Sequence, residues 1–413
     1  MDKCPYVLDV TGKDIHAEAH MLRAKGSATP VELPGGVTAW MVNDYATARK
    51  MLTDPRITKS ARAHWPAFQS GEVPPDWELI SWVAMDNIST SWGKDHLRLR
   101  RLVGKAFTPR RVQAIKPRIV ELTDQLIDAL AATEPGEVVD LRESFAYPLP
   151  ARLVADLIGM DETALAKTAV VIELMVDTTA TPEQAAAVLA GWRGAMAEFI
   201  ESKRRNPGED IASDLIAARD EDGSRLSEPE LADTIFAILG AGTETTINFL
   251  DKATTALLTH PEQREMVTSG RVSWKEVLEE TLRAEAPLAS LPLRFAADDI
   301  ELDGITIRKG EPILINYTGV GRDPALHHDP DAFDVTRADK EHISFGYGPH
   351  YCLGAGIARL IGEIGLSTLF ERFPDLSLAV PAEELQPLPT FIMNGHRSLP
   401  VRLTVPALTG GPA

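Results

Sequence analysis

Residues 345–354 read Phe345-Gly346-Tyr347-Gly348-Pro349-His350-Tyr351-Cys352-Leu353-Gly354. Two glycines and a proline hold the approach to Cys352 in a turn, because glycine reaches backbone angles that other residues avoid. The residues that follow, Ala355-Gly356-Ile357-Ala358-Arg359-Leu360-Ile361, read as a helix. A helix start presents free N–H groups and a partial positive charge, which stabilise an anion such as a thiolate. A cysteine in that setting suits a soft metal ligand or a nucleophile. For a cysteine taken alone, a buried structural role is the commoner outcome.

Three further segments bear on that choice. Ser227-Glu228-Pro229-Glu230 is a capping box, and the helix it opens continues to Pro261. That helix, about residues 228–259, is roughly 48 Å long at 1.5 Å per residue and crosses the whole molecule. Its middle reads Gly240-Ala241-Gly242-Thr243-Glu244-Thr245-Thr246. Glycine inside a helix costs about 1 kcal/mol against alanine, and threonine hydroxyls bond back to the backbone and can bend it. So many poor helix formers together point to function rather than packing. A second capping box, Ser273-Trp274-Lys275-Glu276, starts a helix with Glu280 and Arg283 on one face. Upstream, Asp95–Val103 is a basic amphipathic helix on which His96 and Arg100, four apart, share a face.

Together these four segments, in their order along the chain, resemble the cytochromes P450, and the resemblance runs from about residue 30 to 400. It implies a mainly α fold with small β-sheets, the long central helix lying over haem, in one domain spanning 1–413. It makes Cys352 the axial thiolate of haem b, in a loop that includes Phe345 and His350. His96, Arg100 and Arg294 correspond to residues that bind the haem carboxylates, a task suited to the arginine fork. Ala241 and Gly242 correspond to the small pair beside bound dioxygen, and Glu244 and Thr245 to the acid and alcohol that manage protons. Glu244 stands where the family more often has Asp. Glu280 and Arg283 correspond to a structural ion pair.

The same resemblance gives candidate substrate contacts: Met85, Asn87 and Ile88 in the 66–94 loop, and Met175 beside the 177–180 lid. Ile238 and Ala241 on the long helix, Ala289, Leu291 and Leu293 along one wall, and Ile392 and Met393 in the C-terminal turn complete the set. Ordinary packing is the alternative for each. The implied function is monooxygenation, in which one atom of O2 enters a C–H bond of a bulky apolar molecule such as a steroid, macrolide or other natural product. Oxidative C–C or C–O coupling and a non-catalytic haem sensor are the alternatives. Electrons would come from NAD(P)H through ferredoxin reductase and ferredoxin, the latter docking on Arg98, Arg101 and Arg110.

Composition sets the remaining expectations. The chain has 413 residues, 44% of them hydrophobic, enough for a substantial core, and no Gly/Ser linker or repeat divides it. Its two cysteines, Cys4 and Cys352, suggest no disulfide framework. A net charge of −18 argues against a nucleic-acid partner. The N-terminus lacks the regions of a signal peptide, and no apolar run approaches the roughly 20 residues of a membrane span. The expectation is a cytoplasmic monomer. Residues 30–43 read as a hairpin about Gly35-Gly36, with helices at 45–52, 109–131, 149–158, 162–176 and 182–205. Residues 66–94 read as irregular. Strands are expected at 301–302, 304–307 and 312–315, and His327-His328-Asp329 reads as surface loop rather than a metal site.

Overall fold

The structure, a computed structural model, describes residues 4–134, 136–220 and 223–403. Residues 1–3 and 404–413 of the expected domain lie outside the described residues. The long helix, Glu228–Thr259, is the spine. Both capping-box bonds form: the Glu230 N–H donates to Ser227 Oγ at 3.3 Å, and the Ser227 N–H donates to Glu230 Oε2 at 2.8 Å. The helix runs unbroken through its glycine- and threonine-rich middle. Its first half packs Leu231, Ile235, Phe236 and Leu239 into one buried cluster with the Gly93–Gly104 helix. Its second half packs Ile247, Phe249, Leu250 and Leu257 into a larger cluster. That cluster includes the helices Lys116–Ala131, Pro148–Ile158, Trp274–Ala284 and Ala355–Arg372.

The last of these follows the Cys352 loop and approaches the spine closely. A Cβ on Gly362 would stand 2.8 Å from the Phe249 ring and 2.9 Å from Leu278 Cδ2. A side chain there would force the Phe249 ring or Leu278 to move, so glycine lets this helix lie close against the long one.

A six-stranded sheet flanks the helices, in the order Tyr6–Val7, Ala28–Glu32, Thr38–Val42, Pro312–Asn316, Ser290–Ala296 and Ile57–Thr58. The expected hairpin is there, with Thr29 opposite Met41 and Val31 opposite Ala39. Ile300–Leu302 and Ile305–Ile307 form a separate antiparallel pair. Glu280 and Arg283 are fully buried and pair through two bonds of 2.7 and 2.8 Å. The remaining Arg283 donors reach the carbonyls of Gly321, Pro330 and Ala332 at 2.7–2.9 Å. One arginine thus pins the irregular stretch that leads to the cysteine loop.

Four expectations need correction. The 109–131 helix is two, Pro109–Ala114 and Lys116–Ala131, because Pro117 has no N–H to donate and its ring crowds the preceding turn. Residues 66–94 hold short helices at Pro66–Ser70 and Ser81–Ala84. Two indoles secure this region: Trp77 Nε1 donates to the Pro34 carbonyl at 2.8 Å, and Trp82 Nε1 to that of Met175 at 3.1 Å. The second capping box does not form, since Ser273 makes no side-chain cap bond and Glu276 instead accepts from Lys340 at 2.6 Å. His327 is buried with Nε2 2.9 Å from the Glu341 carbonyl oxygen, although His328 and Asp329 are exposed. No cluster of metal-ligating side chains occurs there or elsewhere among the described residues.

Candidate active site

A cavity of about 360 Å³ lies between the long helix and the cysteine loop. The loop takes its shape from Gly346 and Gly348, at φ of 74° and 72°, which carry the chain through angles closed to most side chains. The Cys352 N–H then donates to the Phe345 carbonyl at 2.8 Å. Cys352 opens onto the cavity, and the N–H groups of Gly354 and Ala355 at the following helix start point at its sulfur. Burial pushes the thiol pKa up, while those two N–H groups and the Arg100 and Arg359 charges oppose it. Burial outweighs them, so the thiolate form depends on a bound cation for the remaining stabilisation.

At one side of the cavity basic groups converge. Arg100, Arg294, His350 and Lys59 line it, and His96 packs behind, its ring tilted 41° to that of His350 with centroids 4.0 Å apart. Burial and the neighbouring Arg100 and Arg294 charges lower the His96 pKa to about 4, and burial and the same cationic surroundings depress that of His350. His96 Nε2 is buried without a partner. Among the described residues no carboxylate pairs with Arg100, Arg294 or Lys59; Arg294 meets only the Tyr317 phenol. Permanent cations beside an orphaned imidazole nitrogen, with no acid among them, make a receptor for external carboxylates. With a thiolate donor in the same cavity, this donor set fits haem. Lys59 and Tyr317 are members that sequence reading missed.

The long helix supplies another wall through Ala237, Ile238, Ala241, Gly242, Thr245 and Thr246. Thr245 Oγ1 donates to the Ala241 carbonyl at 2.6 Å, leaving its lone pairs as acceptors toward the cavity. Gly242 has a packing reason for its size, because a Cβ there would lie 3.0 Å from Val154 Cγ2. Glu244 is buried outside the cavity lining, where burial raises its pKa, Arg142 lowers it and Glu173 adds to the rise.

Of the candidate substrate contacts, Met85, Asn87, Ile88, Met175, Ile238, Ala241, Leu291 and Met393 line the cavity. Ala289, Leu293 and Ile392 do not: a register shift between Leu291 and Arg294 breaks the strand's alternation and leaves Leu293 in the core beneath, and the Ala289 N–H is spent on the Ile392 carbonyl at 2.7 Å. Asn87 is largely committed to its own loop, its Oδ1 accepting from the Ser89 N–H at 2.8 Å. Two of the three docking arginines are neutralised internally, Arg98 by Glu230 and Arg101 by Asp220, since their helix faces Arg219, Asp220, Arg225 and Glu230. Arg110 is exposed and forms no ion pair among the described residues.

Behind the cysteine loop, the Arg359 guanidinium lies 4.5 Å from the Phe345 ring centroid. Glu279 holds it through bonds of 2.6 and 3.0 Å and also meets His342 Nε2 at 3.1 Å. Burial works against the carboxylate, but these two bases outweigh it and bring the Glu279 pKa down to about 2.

The family model for cytochrome P450 matches residues 171–269 and 274–393. The chain is a cytochrome P450. It is 48% identical over 401 residues to 2-hydroxy-5-methyl-1-naphthoate 7-hydroxylase of Streptomyces carzinostaticus, covering 97% of this chain and 98% of the relative. To 6-deoxyerythronolide B hydroxylase of Saccharopolyspora erythraea it is 34% identical, over 92% of this chain and 94% of the other. The solved structure of CYP154A1 from Streptomyces coelicolor A3(2) superposes with a TM-score of 0.92 at 47% identity, covering 97% of this P450 and all of that chain. Membership of the family brings haem iron, dioxygen and reductant electrons, and the relatives are hydroxylases. This P450 is a monooxygenase of apolar small molecules. Among its described residues no helix is long and apolar enough to cross a membrane.

Proposed function

We propose that this P450 hydroxylates a fused-ring aromatic polyketide, using haem b held by Cys352 and electrons delivered from NAD(P)H by a ferredoxin in the cytoplasm. The observation that carries the reading is the meeting, in one cavity, of an N–H-supported cysteine, a carboxylate-free cluster of cations and an apolar wall. The family relatives and the name of the naphthoate hydroxylase support the substrate class. Thiolate-ligated haem supplies the activation of dioxygen for insertion into a C–H bond.

The chain's own residues do the rest. Gly354 and Ala355 N–H groups steady the Cys352 sulfur, and Arg100, Arg294 and the two histidines would hold the haem carboxylates. Thr245 Oγ1 accepts or passes a proton at the cavity surface while its own hydrogen stays on the Ala241 carbonyl or swings inward. Glu244, with its raised pKa, is suited to resupply protons from the side facing Arg142 and Glu173. Ile88, Val154, Ile172, Met175, Leu291 and Met393 exclude water and orient an apolar substrate.

Screening aromatic polyketide fragments for a shift of the haem spin state, followed by product analysis under 18O2, tests this. A hydroxylated product carrying one labelled oxygen is expected. Spin-state shifts with steroids or macrolides only, and none with naphthoates, would overturn the substrate class.

A further inference from the structure

Lys59 follows the short strand Ile57–Thr58, whose antiparallel register sets Ile57 opposite Ala296 and Thr58 opposite Phe295. Carried one residue further, that register sets Lys59 opposite Arg294. Like charges directly opposite on paired strands repel, and here both lie in the interior, 4% and 5% exposed. Among the described residues the Lys59 ammonium donates only to the Pro292 carbonyl, at 3.2 Å, and the residue lines the cavity. Burial and the Arg294 charge push its pKa well below the ordinary lysine range. A buried amine with one weak bond and a cation for a neighbour is unfavourable unless an anion joins it.

We propose that Lys59 is a carboxylate receptor of the active-site cavity. The inference rests on the haem-containing site described above. Two carboxylates can reach it: one from the haem periphery, shared with Arg294 and His350, or one carried by an aromatic acid substrate. Charge balance leaves room for either. Arg100 and Arg294, with Lys59 once pairing with an anion keeps it protonated, present three cationic groups against the two carboxylates of haem. The bond in question is a charge-assisted N–H···O contact, with no covalent step.

The test uses purified holoenzyme of wild type and the Lys59→Met, Lys59→Gln and Lys59→Arg variants. The first arm follows haem transfer to excess apomyoglobin. If the anion is the haem's, the neutral variants lose haem about tenfold faster or more, and Lys59→Arg stays within about twofold of wild type. The second arm titrates 2-hydroxy-1-naphthoate against 2-naphthol by the spin-state shift. If the anion is the substrate's, haem loss is unchanged and the neutral variants lose about tenfold in affinity for the naphthoate while the naphthol is unaffected. Unchanged haem loss with no carboxylate-specific loss of affinity overturns the proposal, including the case in which wild type itself ignores the carboxylate. A wild type that binds no haem would instead defeat the haem reading beneath it.

Discussion

Glu279 ties the helix Trp274–Ala284 to the back of the cysteine loop, so replacing Glu279 by Gln should loosen that loop. The mutation leaves the shape nearly intact but strips Arg359 and His342 of their shared anion. A carboxylate whose pKa falls from 4.5 to about 2 on folding corresponds to roughly 3 kcal/mol at 1.36 kcal/mol per unit. Glu279 is partly open to solvent, so screening reduces this to about 1–2 kcal/mol. For a chain of this size that is a fall in Tm of about 1–3 °C at pH 7. The sign of the pH dependence follows from the depressed pKa. The stabilisation is complete above the unfolded value of 4.5 and drains away as pH falls toward about 2. Thermal denaturation of the holoenzyme followed by the Soret band, at pH 7 and at steps below pH 4.5, should show the wild-type advantage shrinking with acid. An advantage that is constant across that range, or absent at pH 7, would refute the reasoning.

Three other outcomes are expected. Thr245→Ala should keep haem and substrate and still consume NADPH, with product per NADPH falling severalfold and hydrogen peroxide rising; unchanged coupling would reduce Thr245 to its bond with the Ala241 carbonyl. Arg283→Ala leaves the fully buried Glu280 carboxylate with only the Asp334 N–H and the more distant Arg337, 3.6 Å away, at a cost of about 3 kcal/mol, so little folded holoenzyme should be recovered on expression, and a wild-type yield would contradict the assignment. Arg110→Glu should slow reduction by a ferredoxin, the more so at low salt, while the same change at the internally paired Arg101 should act on stability first; stopped-flow reduction across ionic strength separates them.

The long helix, its cap and the cysteine turn were legible because each rests on local chemistry: a capping box, tolerated glycines and a helix start behind a cysteine. The hairpin was equally local. What escaped depends on contacts between distant segments. Lys59 became part of the site only through pairing of Ile57–Thr58 with the strand containing Arg294, a register of which the sequence carries no sign. Tyr317 joins through the same sheet. The Ser273 box failed because Lys340, far along the chain, competes for Glu276. Ala289, Leu293 and Ile392 were misplaced by treating a wall as continuous, when the register shift between Leu291 and Arg294 sends Leu293 into the core with Ile392. Arg98 and Arg101 read as surface cations because their acidic partners, Glu230 and Asp220, lie over a hundred residues away.

The central claim is that Cys352 ligates haem iron as a thiolate. Reduced protein treated with carbon monoxide reports this directly through the position of the Soret band. The wild type should show the red-shifted band of thiolate-ligated haem, and Cys352→Ser should lose both that band and the oxygenation. Retention of the band by Cys352→Ser, or its absence from haem-loaded wild type, would contradict the account.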